Sequence, residues 1–328
     1  MTNNDSAITA TAAPPSARAT APGLAWGALG VLAFSFTLPL TRVAVAEIDP
    51  LVVAAGRAVV AAVLAAVVLA AARSRPPRGA QWWRLAVVAL GVVAGFPLLT
   101  SFALQTAPAA HGAVVIGLLP AATAVAAVVR TGERPGRAFW AAAAAGAVAV
   151  VAFVATSGGG LDAVVGGVHT ADLLLVGAVG LAAVGYAEGG ALSRELGAWQ
   201  TICWALLLAL PVMLVATLVG AGGTEGLVPS AGPGAWASFA YLAGVSMFLG
   251  FFAWYRGLAI GPMAQVSQVQ LVQPVLSIAW AAALLGEPLQ ASVVVGALVV
   301  IACAATAVRS RVSAASGARR RPAGRPPR

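Results

Sequence analysis

Two stretches decide how this chain is read: PAAHGAVVIGLLPAATAVAAVVRTGE at Pro108–Glu133 and PMAQVSQVQLVQPVLSIAWAAALLGE at Pro262–Glu287. Each opens on a Pro, has a second Pro twelve residues on, and ends in Gly-Glu thirteen residues after that. The offset is 154 residues at every landmark: Pro108 and Pro262, Ala110 and Ala264, Pro120 and Pro274, Gly132 and Gly286, Glu133 and Glu287, with Leu104 and Leu258 upstream. Each copy is apolar and carries no charge for over twenty residues. Such a segment reads as a membrane helix with a Pro break near its middle. Interrupted membrane helices in corresponding positions of two halves point to the substrate path of a transporter.

Composition agrees with a membrane setting. The chain is 60% hydrophobic and only 9% charged, where a soluble domain would carry about a quarter charged residues. All nineteen basic residues are Arg, and they gather in loops and at the C-terminus, where topology signals belong. The net charge of +9 is therefore no sign of a nucleic-acid partner. Cys203 and Cys303 lie in apolar runs, and His111 and His169 are far apart. Neither a disulfide framework nor a metal site is indicated, and no cofactor motif is present. An Arg-only, Ala/Val/Gly-rich chain suggests a GC-rich bacterial genome.

Ten apolar segments of spanning length fall at about 23–43, 51–72, 84–106, 109–130, 137–156, 172–193, 199–220, 235–256, 263–284 and 289–309. The expected fold class is an all-α polytopic membrane protein, with ten transmembrane helices in two inverted five-helix repeats. Residues 1–22 read as a disordered cytoplasmic tail rather than a signal peptide, because the small residues precede any apolar core. The repeats are expected at 23–156 and 172–309, with a linker at 157–171 outside the cell and a basic cytoplasmic tail at 310–328. Asp49-Pro50 reads as an N-cap followed by Pro at the first helical position.

Orientation follows from the arginines. Arg73, Arg75, Arg78, Arg84, Arg130, Arg134, Arg137, Arg194, Arg256 and the tail arginines fall on one side if ten helices alternate, and that side is cytoplasmic. Glu47, Asp49, Asp162, His169, Asp172, Glu225 and Glu287 fall on the other, with Arg42 the one basic exception. Both termini are then cytoplasmic in a bacterial cell membrane. Five helices per repeat is odd, so the halves have opposite topology. A weaker echo relates WGALGVLAFSF at Trp26–Phe36 to LVGAVGLAAVGY at Leu175–Tyr186.

Pro120 with Gly132-Glu133, Pro274 with Gly286-Glu287, the WGALGVLAFSF opening and Arg57 early in the second segment together resemble the drug/metabolite transporter superfamily, EamA type. The resemblance covers about 23–309. It implies a basket of helices around a central cavity drawn from segments 1, 3, 4, 6, 8 and 9, with 5 and 10 peripheral. It also implies efflux of a small metabolite, driven by proton exchange or by the substrate's own gradient. It is silent on which metabolite.

Polar residues inside the segments are the site candidates, because each is costly in lipid. Arg57 either clamps helix-end carbonyls, Asp49 or Glu47, or contacts an anionic group. Glu188 is either at the surface of an early-ending helix or a cavity acid that binds a cation or carries a proton; Arg256 is its expected partner. Gln270, Gln273 and Ser277 share one helix face and form either interhelical hydrogen bonds or a substrate-facing wall. Gln105, Tyr186, Trp254 and Tyr255 complete the expected substrate site, an uncharged polar and aromatic cavity near the midplane with titratable groups towards its ends. Trp254 and Tyr255 read equally as anchors at the membrane surface. Ser35, Thr37, Thr41, Thr100 and Ser101 read as packing contacts. Glu133 and Glu287 read as structural, for example as caps of the next helix. Pro120 and Pro274 are the helix breaks.

The expected function is a secondary transporter, an exporter, of an amino acid or related amphipathic solute or drug, with the lipid bilayer as its other partner and a homodimer compatible with the sequence. The alternative is a non-transporting membrane scaffold or sensor. An intramembrane enzyme would need His111 and Glu188 to converge, and they lie near opposite faces.

Overall fold

A computed structural model of the chain describes residues 17–131, 136–157, 170–223, 230–261 and 266–320. Expectations about Gly132, Glu133, Arg134, Asp162, His169, Glu225, Pro262 and Gln265, and about most of the linker and the outermost tails, lie outside the described residues. The protein is an all-α polytopic membrane protein, and among the described residues there is no strand. Among the described residues seven helices are long and apolar enough to cross a membrane: α1 (Ala21–Val45), α2 (Val52–Ala71), α3 (Gln81–Ala103), α4 (Ala109–Arg130), α6 (Thr170–Leu196), α7 (Ala198–Gly220) and α8 (Pro233–Ile260). Three further apolar helices, α5 (Arg137–Ser157), α9 (Val269–Leu285) and α10 (Ala291–Arg320), complete the two sets of five.

The first helix already runs from Ala17 and the last runs on to Arg320, inside stretches expected to be tails. Both extensions are Ala- and Arg-rich, and these are strong helix formers that propagate a helix once it has begun.

The expected breaks are present, and they repeat in register. In α4 the helix ends at Ile116 and resumes over Leu119–Thr131, with Pro120 in its new first turn. At the start of α9 a 3₁₀ stretch that begins two residues earlier, Ser267–Val272, gives way to an α-helix over Gln273–Leu285, with Pro274 in its first turn. The two resumed helices match end for end at the 154-residue offset. Proline lacks the N–H that would continue the ladder, so it sits where a helix starts afresh. The two breaks also meet: a Cβ built on Gly117 would lie 3.2 Å from Pro274 Cγ.

A third break, at Phe36 in α1, precedes Pro39. Pro39 cannot donate to the Ser35 carbonyl four residues back. That carbonyl instead accepts from Ser277 Oγ of α9 at 2.8 Å, and Trp280 Nε1 donates to Ser35 Oγ at 3.0 Å. The broken helix is thus stitched to the other repeat.

Helix packing obeys the same two-fold relation. α1 packs along α8 and α3 along α6, while α2 pairs with α7, and α5 with α10 at the side of the bundle. The α1–α8 contact is backbone to backbone, since a Cβ on Gly257 would come within 2.7 Å of Gly27 N. At the α3–α6 crossing a Cβ on Gly91 would lie 2.5 Å from the Leu181 carbonyl oxygen. Glycines let membrane helices approach this closely where no hydrophobic effect pulls them together.

Candidate functional site

The centre of the bundle holds a small cavity of about 30 Å³. Thr37 and Leu38 of α1, Arg57 of α2, Val92 and Pro97 of α3, Leu119 of α4, Tyr186 of α6, Ser246 and Phe251 of α8, and Gln273 of α9 line it. These are the six expected helices plus α2. Three π-helical turns run beside it: Val52–Gly56 just before Arg57, Ala89–Gly95 in α3, and Leu242–Leu249 in α8. The last two correspond at the 154-residue offset, both ending at equivalent positions. π turns widen a helix locally and recur at functional sites.

Arg57 is the dominant group in this cavity. It is 1% exposed, and its Nε has no hydrogen-bond partner among the described residues. The expected acidic clamps are engaged elsewhere. Asp49 caps α2 by accepting from Leu51 N at 2.8 Å, and Glu47 accepts from Gly232 N at 2.6 Å. No carboxylate lines the cavity among the described residues. The cavity is therefore cationic, not uncharged as the sequence suggested. Beside Arg57, Thr37 and Ser246 hydrogen-bond each other at 2.8 Å. Among the described residues Gln273 Oε1 is buried without a partner, and so are both amide atoms of Gln270, in an adjoining cleft between the Pro breaks. Ser277, on the same face, is committed to Ser35.

Below the cavity, towards the arginine-rich face, lies an aromatic layer. Phe34 and Phe251 have ring centroids 5.0 Å apart, Tyr186 and Trp254 5.9 Å, and Phe251 and Tyr255 5.4 Å. Trp254 and Tyr255 are fully buried, so they are not surface anchors. The hydroxyl end of Tyr255 abuts α6 at Gly189, where a side chain would collide with it.

Beyond the aromatics, Glu188 forms an ionic latch. One carboxylate oxygen accepts from Arg84 Nε of α3, and the other accepts from Arg130 Nε of α4 at 2.7 Å. Arg84 also donates to Glu195 at 2.6 Å. Three helices are tied together at one end. Arg256, the partner expected from sequence, is exposed on another side of α8. Arg84 looked like a topology signal because its segment was expected to start there; the helix begins a turn earlier, at Gln81, which brings Arg84 inside the bundle.

The opposite end is closed by different chemistry. His111 of α4 and Asp172 of α6 approach to 2.7 Å. Glu287 accepts from Ala109 N at 2.8 Å and Ala110 N at 2.9 Å. It thus caps α4 of the other repeat, not the next helix, because the break in α9 turns its end towards the start of α4. Arg42 Nη1 donates to the Leu104 carbonyl at 2.6 Å. Gln105 stands apart from the site. It is exposed in the turn after α3, because that helix ends at Ala103, short of where the sequence placed its end.

Two inverted sets of five apolar helices, two registered Pro breaks meeting at a buried polar cavity, and separate seals at each end define a membrane transporter. The chain belongs to the EamA-like transporter family, which matches residues 21–155 and 169–309. It is similar to the "Uncharacterized transporter YdeK" of Bacillus subtilis (strain 168), with 43% identity over 283 residues, covering 86% of this chain and 96% of that protein. A solved structure described only as "Crystal structure of protein" shares the fold with a TM-score of 0.59 at 19% identity, covering 90% of this chain and 99% of the other.

Proposed function

We propose that the protein is a secondary transporter, an exporter, of a small organic metabolite carrying an anionic group, such as an amino acid or related amphipathic acid. It works in a bacterial cell membrane with both termini in the cytoplasm. The observation that carries the substrate class is Arg57, a buried guanidinium facing the cavity with no acid beside it among the described residues. A cation is expensive to hold inside a membrane without a counter-charge, and an arriving carboxylate or phosphate supplies one with bidentate hydrogen bonds. Thr37, Ser246, Gln270 and Gln273 both donate and accept, so they suit the polar remainder of the solute. The faces of Phe34, Tyr186 and Phe251 suit an apolar side chain or an amine.

The cavity of about 30 Å³ holds little more than one water, far less than the several hundred Å³ of a typical ligand site. This compact form is the closed intermediate of an alternating-access cycle. Loading requires one seal to part, and the registered breaks in α4 and α9 supply the bending points. Proton coupling acts at the latch. A proton on Glu188 neutralises the carboxylate that holds both α3 and α4 to α6, and so releases the cytoplasmic side.

Counterflow in proteoliposomes tests the function. Vesicles loaded with leucine, 4-methyl-2-oxopentanoate or leucinamide are assayed for uptake of the labelled counterpart, alongside a metabolite-resistance screen of overexpressing cells. Exchange of solutes bearing a carboxylate, lost in Arg57→Gln, is expected. Preference for leucinamide would refute the anion assignment. Absence of any exchange or resistance phenotype would favour the scaffold or sensor.

A further inference from the structure

A groove of about 830 Å³ runs down the outside of the bundle between α1, α8 and the start of α7. Its α8 wall is Val245, Leu249, Phe252 and Arg256, spaced i, i+4, i+7 and i+11 on one helix face. At the rise of an α-helix those eleven residues cover about 16 Å, about half of a 30 Å hydrocarbon core. The groove thus spans one leaflet, from the arginine-rich face to near the midplane. It is independent of the central cavity and lies on the far side of the aromatic layer.

Its two ends differ in chemistry. Towards the midplane the walls are aliphatic, with Leu29 and Leu249 half exposed. At the membrane surface Trp26 and Trp199 flank Arg256, as tryptophans do at head-group depth. Arg256 is exposed and has no ion-pair partner among the described residues, and no carboxylate lines the groove. The N-terminus of the 23-residue α7 opens at the same place, with Gly197 as an N-cap that offers no side chain. Its free amides add to the positive potential there.

We infer that this groove binds one anionic glycerophospholipid of the cytoplasmic leaflet. Its phosphate sits against Arg256 and the start of α7, and an acyl chain lies along Leu29, Leu249 and Val245. Head-group charge decides the preference. A zwitterionic lipid brings an ammonium into a site that already has an uncompensated cation and no acid to receive it. A lipid with net negative charge leaves the pair neutral. Basic clefts between membrane helices on the cytoplasmic side are known to hold anionic head groups in this way.

The test uses full-length protein, delipidated in mild detergent and titrated with palmitoyl-oleoyl phosphatidylglycerol or phosphatidylethanolamine under native mass spectrometry. Wild-type protein should retain one phosphatidylglycerol in preference to phosphatidylethanolamine. Arg256→Gln should lower that preference about fivefold, the effect of one basic side chain at an anionic surface, and Arg256→Lys should restore most of it. Leu249→Trp, which fills the groove, should reduce retention of both lipids. Arg78→Gln, exposed in the loop at the same face, should change nothing. An unchanged lipid ratio in Arg256→Gln, or an equal loss in Arg78→Gln, would overturn the inference. So would a protein dimer that dissociates in Leu249→Trp, since the groove would then be a subunit interface.

Discussion

Replacing Glu188 by Gln removes the charge that ties α3 and α4 to α6, and the geometry fixes how much should be lost. Glu188 is 8% exposed and Arg84 15%, so their charge-assisted hydrogen bond is worth about 1.5–3 kcal/mol. Arg130 is 54% exposed, so solvent screens its leg to under about 1 kcal/mol. In the proposed orientation the latch biases the protein towards cytoplasmic closure by about 2–3 kcal/mol, which corresponds to roughly 30- to 150-fold in population. The assay is the modification rate of a cysteine at Ala182, a cavity-lining position on α6, in a background with Cys203 and Cys303 replaced by Ala. A small anionic, membrane-impermeant thiosulfonate is added from the cytoplasmic side. The aromatic layer is unchanged between the proteins, so the ratio of rates reports the latch alone. Glu195→Gln is the control: Glu195 is 46% exposed and among the described residues pairs only with Arg84, so its loss should change the rate less than about fivefold. An unchanged rate in Glu188→Gln with normal thermal stability, or an equal effect of Glu195→Gln, would refute the latch. In transport, Glu188→Gln should abolish pH-driven flux while leaving substrate exchange intact; flux with unaltered pH dependence would remove Glu188 from coupling.

Ser277→Ala should strand the Ser35 carbonyl that Pro39 leaves without an intrahelical partner, at a cost of about 1–3 kcal/mol; an unshifted melting temperature in detergent would argue against the stitch. Gly189→Ala would put a methyl 2.1 Å from the Tyr255 hydroxyl oxygen and should destabilise by about 1–3 kcal/mol. Gly180→Ala on the same helix, where nothing lies within 4 Å, should be nearly neutral, and similar melting of the two would contradict the packing. Pro120→Ala and Pro274→Ala should each lower turnover more than expression, and full activity of the double variant in counterflow would make the breaks incidental.

What could be read from the sequence was what a repeat and a backbone rule encode. The 154-residue offset and the missing proline N–H placed both breaks, and the structure restarts both helices within a residue of Pro120 and Pro274. The cost of polar groups in lipid picked out Arg57, Tyr186, Gln270 and Gln273, which the fold brings to the centre. Partnership was not legible. Glu188 meets Arg84 across 104 positions of chain, and no local pattern specifies which of several arginines on one face reaches it. Nor were the π turns legible, because no residue type demands one. Gln105 was misplaced by a helix end read about one turn too late. Depth in a membrane depends on such boundaries, and a single turn moves a side chain about 5 Å.

Symmetry and its failure divide the work between them. The breaks, the Gly crossings and the π turns of α3 and α8 recur in both halves, so either half can bend in the same way against the other. That is what exchange of two access states requires. Among the described residues the two seals differ; Glu133, Met263 and Ala264, the counterparts of the Glu287 cap at the 154-residue offset, lie outside them. One end is held by a carboxylate between two guanidiniums, and the other by a His–Asp contact and a helix cap. Two identical seals would leave the two states equal in energy and the cycle without preference. Chemically different seals on a symmetric hinge let one ligand or proton act on one side only, and an equilibrium shifts only by differential binding to its two states. Both seals join α4 to α6, at opposite ends. Under the proposed alternating access, opening either side would pivot the same pair of helices, with the closed seal as its fulcrum.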